Sequence, residues 1–201
     1  GRGGHAARPH TVIDPLVIGA EIVLALQTIV SRRLTPFVQA VVSVTQIHGG
    51  DAWNVIPETV VIRGTVRCLQ EDVRDRIGNL IIELATRIAA AHGALAKTAV
   101  ERGYPTTVNT AAAVPLAIAA ADRVEAIHAK YASIVPSMAS EDFAYMLQAC
   151  PGAYGWLGAD GATPSKPLHN PSYDFNDDLL PIGAAFWVSL AHEALSRPLQ
   201  A

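Results

Sequence analysis

The chain has 201 residues, of which 50% are hydrophobic and 16% are charged, so it holds enough apolar material for a packed core. Its formal net charge is −3 and it contains no basic run, which excludes the electrostatic footprint of a nucleic-acid-binding protein. Glu21, Gln27 or Asp122 interrupts the longest apolar stretches, so none offers the ~20 unbroken apolar residues that span a bilayer.

The first part of the chain predicts a helix followed by two strands. Asp14-Pro15 marks the helix start, because a capping side chain followed by proline is typical of helix N-termini, and the helical spacing ends before Pro36. The stretch FVQAVVSVTQI alternates and predicts a half-buried strand whose inward residues are Val38, Ala40, Val42 and Val44. After Gly49-Gly50, the stretch ETVVIRGTVRCL predicts a second strand with inward Val60, Ile62 and Val66.

A second helix and a weaker strand come next. The helix is indicated by apolar residues at helical spacing and by Gly93 as its C-cap, the apolar residues being Val73, Ile77, Leu80, Ile81, Leu84 and Ile88. The strand runs from about Leu95 to Tyr104 and ends at Pro105. The predicted order is therefore helix, strand, strand, helix, strand.

One more strand in front would turn this order into βαββαβ, the ferredoxin-like plan. In that plan the first strand lies inside the sheet, and its removal would leave neighbouring backbone groups unpaired. We therefore expect the chain to start partway through a larger protein. The opening stretch GRGGHAARPH would then be the turn directly after that first strand.

The pattern changes after Pro105. The predicted elements are, in order, an alanine-rich helix (111–132), a short strand (133–138), a helix capped by Ser140 (140–149), a short strand (153–158), a polar loop (159–176) and a final helix (176–197). Strands alternating with helices indicate an α/β unit. Two short strands and three helices are too few to complete one, so we expect this half to be incomplete as well.

The loop KPLHNPSYDFNDD combines His169 with several carboxylates and two prolines, a composition found in loops that hold functional side chains. One histidine is not a metal site, because zinc needs three or four ligands. The alternative is a loop histidine that forms only local hydrogen bonds.

Three further residues are candidates for chemistry. His5 lies among glycines that let backbone approach a ligand, and the alternative is a plain turn. Asn54 follows Gly49-Gly50, and Arg67 lies near the end of the next strand on its polar face. An amide and a guanidinium suit recognition of a substrate carboxylate. The alternative is that Asn54 forms a turn and Arg67 is only solvated.

Four stretches in the same order resemble the M20 metallopeptidase family, and most closely its amidohydrolase branch: GRGGHAARPH, WNVIPETVVIRGTVR, SEDFAYML and LHNPSYDFND. That branch includes hippurate hydrolases, N-acyl-amino-acid amidohydrolases and auxin-conjugate hydrolases. The resemblance implies that residues 1–106 form a ferredoxin-like lid and dimerisation domain without its first strand. Residues 107–201 would be the second segment of an α/β catalytic domain whose first segment has no counterpart in this chain.

The resemblance also implies roles for individual residues. His169 would be a metal ligand, the only one in this chain, for a divalent zinc, manganese, cobalt or nickel ion. His5 would stabilise the oxyanion, usually in the partner subunit's active site. Asn54 and Arg67 would hold the substrate across a homodimer, and Glu141 would line the cleft as a substrate-binding residue without an assigned role. In this family, metal-activated water attacks the amide carbonyl of a small N-acyl amino acid, such as hippurate.

Two readings of the function stay open. The chain is either part of a metal-dependent amidohydrolase, inactive alone because most ligands and the base are elsewhere, or a non-catalytic ferredoxin-like dimerisation or ligand-binding module. A dipeptidase of the same superfamily fits the ending LHNPSYDFND less well.

Two cysteines, Cys68 and Cys150, are too few for a disulfide framework, so we expect both to be small buried hydrophobes in a cytoplasmic protein. No partner nucleic acid or membrane is expected.

Overall fold

A computed structural model describes residues 1–131, 134–159 and 166–196. The chain divides into two compact units, Gly1–Thr106 and Thr107–Ala201. The elements of unit 1 are β1 (Gly4–His5), α1 (Pro15–Thr28), β2 (Ala40–His48), β3 (Val55–Ile56), β4 (Val61–Cys68) and α2 (Glu71–Ala91). Those of unit 2 are α3 (Ala113–Asp122), α4 (Phe143–Ala149) and α5 (Leu179–Ser196). The fold is thus of mixed α/β type.

Helix α1 begins as the sequence predicts. The carboxylate of Asp14 accepts a hydrogen bond from the Leu16 backbone N–H at 2.8 Å, and Pro15 occupies the first helical turn. A π-helical turn, Ile29–Arg33, continues the helix before the chain becomes extended at Leu34. The predicted start and end of this helix are both confirmed.

Strands β2 and β4 form an antiparallel pair in which Ala40 lies opposite Cys68 and His48 lies opposite Val61. The register shifts between Val44 and Gln46, where the ladder is irregular. The predicted inward faces are confirmed for Val38, which precedes β2, and for five strand residues, because all of these pack against the buried core of unit 1; the five are Ala40, Val42, Val44, Ile62 and Val66. Val60, also predicted to face inward, lies just before β4 and is half-buried.

Helix α2 supplies the other side of that core and ends as predicted. Gly93 adopts a positive φ of 72° just after the helix, a conformation that glycine reaches without steric cost. The buried cluster consists of Ile18, Ile22, Leu26, Ile29, Val73, Ile77, Ala85 and Ala89. The Glu21 carboxylate also joins α1 to the end of α2 through the His92 ring, at 2.7 Å.

The predicted strand from Leu95 to Tyr104 is wrong as a sheet strand. Its side chains still alternate, with residues 94, 96 and 98 half-buried and residues 95, 97 and 99 exposed. No strand of the described residues pairs with it. It is held instead through side chains on α2: Arg102 pairs with Asp75, and Arg74 donates to the Tyr104 carbonyl at 3.1 Å. The described residues therefore do not show the βαββαβ plan.

The opening stretch GRGGHAARPH is not simply a turn, which corrects the prediction. Gly4 and His5 form β1, which pairs antiparallel with β3, and a turn follows at Ala6 and Ala7. The glycines are needed for close approach. A Cβ on Gly3 would lie 2.6 Å from the Ile56 carbonyl oxygen, and one on Gly4 would lie 2.7 Å from the Val12 side chain.

The helices of unit 2 are shorter than predicted. Helix α3 ends at Asp122 rather than at residue 132, and the next residue, Arg123, forms an ion pair with the buried Glu193 of α5. Helix α4 begins at Phe143 after Asp142, and no side chain caps it, so Ser140 is not the predicted cap. Helix α5 starts close to its predicted position, where the Asn176 side chain accepts from the Asp178 N–H at 3.1 Å.

Neither short strand predicted for unit 2 is present in the described residues. Residues 134–138 and 153–158 have no regular secondary structure, and Ser133 lies outside the described residues. The polar loop predicted over 159–176 is described at residue 159 and from residue 166, and Arg197 is also outside the described residues. Residues 152–154 are held by hydrogen bonds to Asn109 and Thr110 instead of a sheet.

Two helical stretches, Pro15–Arg33 and Leu179–Ser196, are long and apolar enough by length and composition to cross a membrane. The sequence analysis expected no membrane-spanning segment because it required an unbroken apolar run, and neither helix contains one. The first of these helices packs its apolar face into the core of unit 1, and a core helix of a soluble protein satisfies the same test. This finding alone therefore does not indicate a membrane protein.

The two cysteines differ from the prediction that both are buried. Cys68 is half-buried at the end of β4, and burial raises the pKa of its thiol, whereas Cys150 is exposed after α4. At the end of α4, the backbone N–H of Cys150 donates a hydrogen bond to the Met146 carbonyl.

Candidate functional site

The pairing of β1 with β3 brings His5 and Asn54 together. His5 lies opposite Val55, and the Ala6 N–H donates to the Asn54 carbonyl at 3.0 Å. The two residues are far apart in sequence, and the short ladder makes them neighbours. Both side chains are exposed, so both are available to a ligand.

Backbone contacts also orient the His5 imidazole. Its Nδ1 atom accepts a hydrogen bond from the Ala7 N–H at 3.1 Å. In a neutral imidazole, one ring nitrogen accepts and the other carries the proton. His5 therefore presents Nε2–H as a donor, which is the group that oxyanion stabilisation requires.

An open pocket of about 420 Å³ lies beside this pair, within the size range of small-molecule sites. Its wall is formed by Ala6, Leu16, Ala52, Trp53, Val55 and Ile56, together with Gly49, Gly50 and Asp51. Trp53 is fully exposed at this loop. The pocket combines apolar walls with the backbone of a glycine loop, and the neighbouring His5 and Asn54 supply polar groups.

Arg67 is not close to His5 and Asn54 within one chain. It lies opposite Val41 at the far end of the β2–β4 pair, whereas Val61, at the near end, lies opposite His48. Six residues at about 3.3 Å each place Arg67 roughly 20 Å along the strand from Val61. Its side chain is exposed. One copy of the chain therefore does not bring the amide and the guanidinium to the same small ligand.

His169 lies in the loop before α5 and is exposed. It has a positive φ of 68°, an uncommon conformation for a residue with a side chain. The turn around it is fixed locally, because the Asn170 N–H donates to the Pro167 carbonyl at 3.1 Å and the Asn170 side chain accepts from Ser172 at 2.9 Å. The strained backbone of an exposed imidazole points to a functional role rather than to packing.

Glu141 lies just before α4 and is half-buried. Its backbone carbonyl accepts from the Ala144 N–H at 3.3 Å. Burial, and then the neighbouring Glu141 carboxylate, raise the pKa of the Tyr154 phenol. The sequence analysis missed Tyr154, because its contact with Glu141 depends on tertiary structure and no motif in the sequence marks it.

The described residues do not form a metal site by themselves. Among residues 1–131, 134–159 and 166–196, no three side chains of His, Cys, Asp or Glu are grouped so that they could hold a metal ion. A zinc-type site needs three or four such ligands. His169 supplies at most one of them.

Comparison with known proteins gives a consistent picture. The sequence profile of Peptidase family M20/M25/M40 matches residues 4–193. The chain is 37% identical over 177 residues to N-acetyl-L-cysteine deacetylase of Bacillus subtilis (strain 168), which covers 88% of this chain and 41% of that protein. It is 34% identical over 197 residues to IAA-amino acid hydrolase ILR1-like 5 of Arabidopsis thaliana, covering 95% of this chain and 45% of that protein.

A solved structure agrees with these relatives. The YXEP protein of Bacillus subtilis, a dinuclear metal binding peptidase from the M20 family, matches with a TM-score of 0.69 and 29% identity. The match covers 92% of this chain and 47% of that one. The chain thus spans less than half the length of these relatives.

Proposed function

Because this chain belongs to Peptidase family M20/M25/M40, we propose that it is part of an amidohydrolase that cleaves the amide bond of N-acyl amino acids. The observation that carries this proposal is the β1–β3 ladder, which sets an oriented His5 donor beside Asn54 at the edge of a pocket. The relatives named for deacetylation and for hydrolysis of amino acid conjugates support the same substrate class. Hippurate is the representative substrate.

Each candidate residue of this chain would have its own role in catalysis, substrate binding or metal binding. The Nε2–H of His5 donates to the carbonyl oxygen as negative charge develops on it, and Asn54 holds the substrate beside it. Arg67 binds the substrate carboxylate as a charge-assisted partner. His169 contributes one ligand to a divalent metal whose other ligands come from outside this chain, and so we expect the chain alone to be inactive.

The distance between Arg67 and Asn54 supports a homodimer formed through unit 1. Arg67 lies near the far end of β4, whereas Asn54 precedes β3 and the near end of β4, so one copy cannot clamp one small substrate with both. In a two-fold dimer, each copy offers the same surface to the other, so residues from both copies can meet at one ligand. His5 and Asn54 of one copy would then serve the substrate bound by its partner.

The geometry of unit 1 also supports the ferredoxin-like lid. Among the residues that the structure describes, strand β4 pairs with β2 and with no other strand, and the Gly1 nitrogen donates to the Glu58 carbonyl at 2.9 Å. The antiparallel β1–β3 pairing, extended backwards from Gly1, would place a further strand along the open side of β4. The segment 95–104, which packs on α2 without a strand partner among the described residues, would pair with the other side of that strand.

The proposal is tested with the complete protein, meaning this chain within the longer protein to which we assign it. The complete protein is supplied with zinc, manganese, cobalt or nickel and incubated with hippurate, N-acetylcysteine and an indoleacetyl amino acid. We expect release of the free amino acid from at least one of them, and loss of this release with a chelator. Binding of these compounds without release would favour the alternative, a non-catalytic ligand-binding module.

A further inference from the structure

The open pocket beside His5 has a composition that limits what it can bind. Three of its wall residues, Leu16, Trp53 and Val55, are large apolar side chains that remain exposed to solvent. Among the described residues that line it, Asp51 is the only charged one, and none is Lys, Arg or His. A pocket whose side chains are apolar apart from one carboxylate favours an uncharged, apolar group and repels an anion.

Two glycines keep this pocket open. Gly50 has a positive φ of 80°, and a Cβ on Gly49 would lie 3.1 Å from the Leu16 side chain and 3.2 Å from the Thr59 carbonyl oxygen. The loop therefore lies close to Leu16 without side chains of its own at these two positions. The volume of about 420 Å³ is left to a ligand.

One turn joins the pocket wall to the oxyanion donor. The Val55 N–H donates to the Ala52 carbonyl at 3.3 Å and closes the turn that carries Trp53 and Asn54. The Asn54 carbonyl accepts from the Ala6 N–H at 3.0 Å, and Ala6 directly follows the histidine donor. A group bound at that donor and a group bound in the pocket can therefore belong to one small molecule.

The direction in which a substrate lies follows from these positions. The scissile carbonyl of an N-acyl amino acid carries two arms, the acyl group and the amino acid, and the amino acid arm ends in a carboxylate. That carboxylate is assigned to Arg67, which is not among the residues that line this pocket, and Asp51 would repel it. With the carbonyl oxygen at Nε2 of His5, the acyl arm is the one left for the pocket.

Trp53 determines which acyl group fits best. An aromatic ring stacked on Trp53 would cover an indole that is otherwise fully exposed, and aromatic pairs are favourable beyond the area that they bury. An acetyl group is too small to make this contact. Resting on the proposed function, we infer that this pocket binds the acyl group of the substrate and that Trp53 makes the enzyme select aromatic acyl groups over acetyl.

The test compares two substrates that share glycine and differ in the acyl group, hippurate with benzoyl and N-acetylglycine. The complete protein carries Trp53→Ala. Phe37→Ala is the control, since Phe37 is another exposed aromatic residue of unit 1 and does not line the pocket. We expect Trp53→Ala to lower kcat/KM for hippurate about tenfold more than for N-acetylglycine, because an aromatic contact and its buried area are lost. Trp53→Phe should restore most of the preference, and Phe37→Ala should leave it unchanged.

A second pair of substrates separates the two arms. N-acetylglycine and N-acetylphenylalanine share the acyl group and differ on the amino acid, so Trp53→Ala should leave their ratio of kcat/KM unchanged. An unchanged ratio of hippurate to N-acetylglycine would overturn the inference, and a change in the second ratio instead would assign the pocket to the amino acid side chain.

A gain of activity, which misfolding cannot imitate, tests the same pocket. Asp51→Lys should raise kcat/KM for N-succinylglycine, whose acyl group ends in a carboxylate, about tenfold relative to hippurate. No relative gain would count against the acyl arm in this pocket. If the wild-type protein hydrolyses none of these substrates, the proposed function fails. Calorimetric binding of hippurate, which Trp53→Ala should weaken, then decides on the pocket separately.

Discussion

The backbone around His5 determines what its imidazole can do. Because the Ala7 N–H occupies Nδ1, the neutral ring is left with Nε2–H as its donor, and the β1–β3 ladder places this donor beside Asn54. The sequence marked both residues as candidates, but as separate ones. The ladder joins residues about fifty positions apart, and no local spacing predicts such a contact.

Replacing His5 tests its assignment as an oxyanion donor. In the complete protein, His5→Ala should lower kcat by roughly 10²–10³ with little change in KM, because the donor acts mainly in the transition state. Steady-state kinetics on hippurate measure both constants. His128→Ala, which changes an exposed histidine of unit 2, is the control and should have wild-type kinetics. A change confined to KM would assign His5 to substrate binding instead.

Replacing His169 tests its assignment as a metal ligand. Removal of one ligand from a three- or four-ligand site weakens metal binding strongly, so His169→Ala should reduce the metal content of the purified complete protein. Elemental analysis by plasma mass spectrometry gives the metal-to-protein ratio, with His128→Ala again as the control. An unchanged ratio would remove His169 from the ligand set.

At the scale of elements, the sequence correctly predicted the helix boundaries and strand faces that local signals determine. Helices α1 and α2 were located by the Asp14-Pro15 cap and by Gly93, and the faces of β2 and β4 by alternation. The strand at 95–104 failed because a strand requires a partner, which alternation does not provide. Helix α3 was predicted too long because alanine favours helix without marking its end, which lies just before the Arg123–Glu193 pair.

The open side of β4 leads to a prediction about hydrogen exchange. If a further strand lies between β4 and the segment 95–104, amides on both should exchange much more slowly in the complete protein than in the isolated chain. Exchange followed by mass spectrometry on peptides covering 61–68 and 95–104 measures this. Peptides from α2, which is formed in the described structure, provide the control. Equal exchange of the strand peptides in the two proteins would contradict the ferredoxin-like lid.

At the scale of the whole molecule, the two compact units carry different parts of the proposed chemistry. Unit 1 holds His5, Asn54 and Arg67, and unit 2 holds Glu141 and His169. The sequence motifs alone nominated these five residues. They did not reveal that Arg67 lies far along β4 from Asn54, a separation that only the strand register shows.

The proposed dimer predicts that two inactive variants rescue each other. Complete protein with His5→Ala, mixed and re-associated with protein carrying His169→Ala, should recover about a quarter of the wild-type activity. Half of randomly paired dimers are mixed, and in each of these one of two sites keeps both histidines. Each variant re-associated with itself is the control. Absence of recovery, when light scattering shows that mixed dimers form, would place both histidines in the same copy's site.

The most direct test compares the complete, metal-loaded protein with the isolated 201-residue chain at equal molar concentration. The quantity measured is the free glycine released from hippurate, or the free amino acid released from the other N-acyl substrates. We predict release by the complete protein and none by the isolated chain, because the proposal assigns this chain one metal ligand, His169, and takes the others from the rest of the complete protein. Comparable release by the isolated chain, or no release by the complete protein from any of these substrates, would contradict the account.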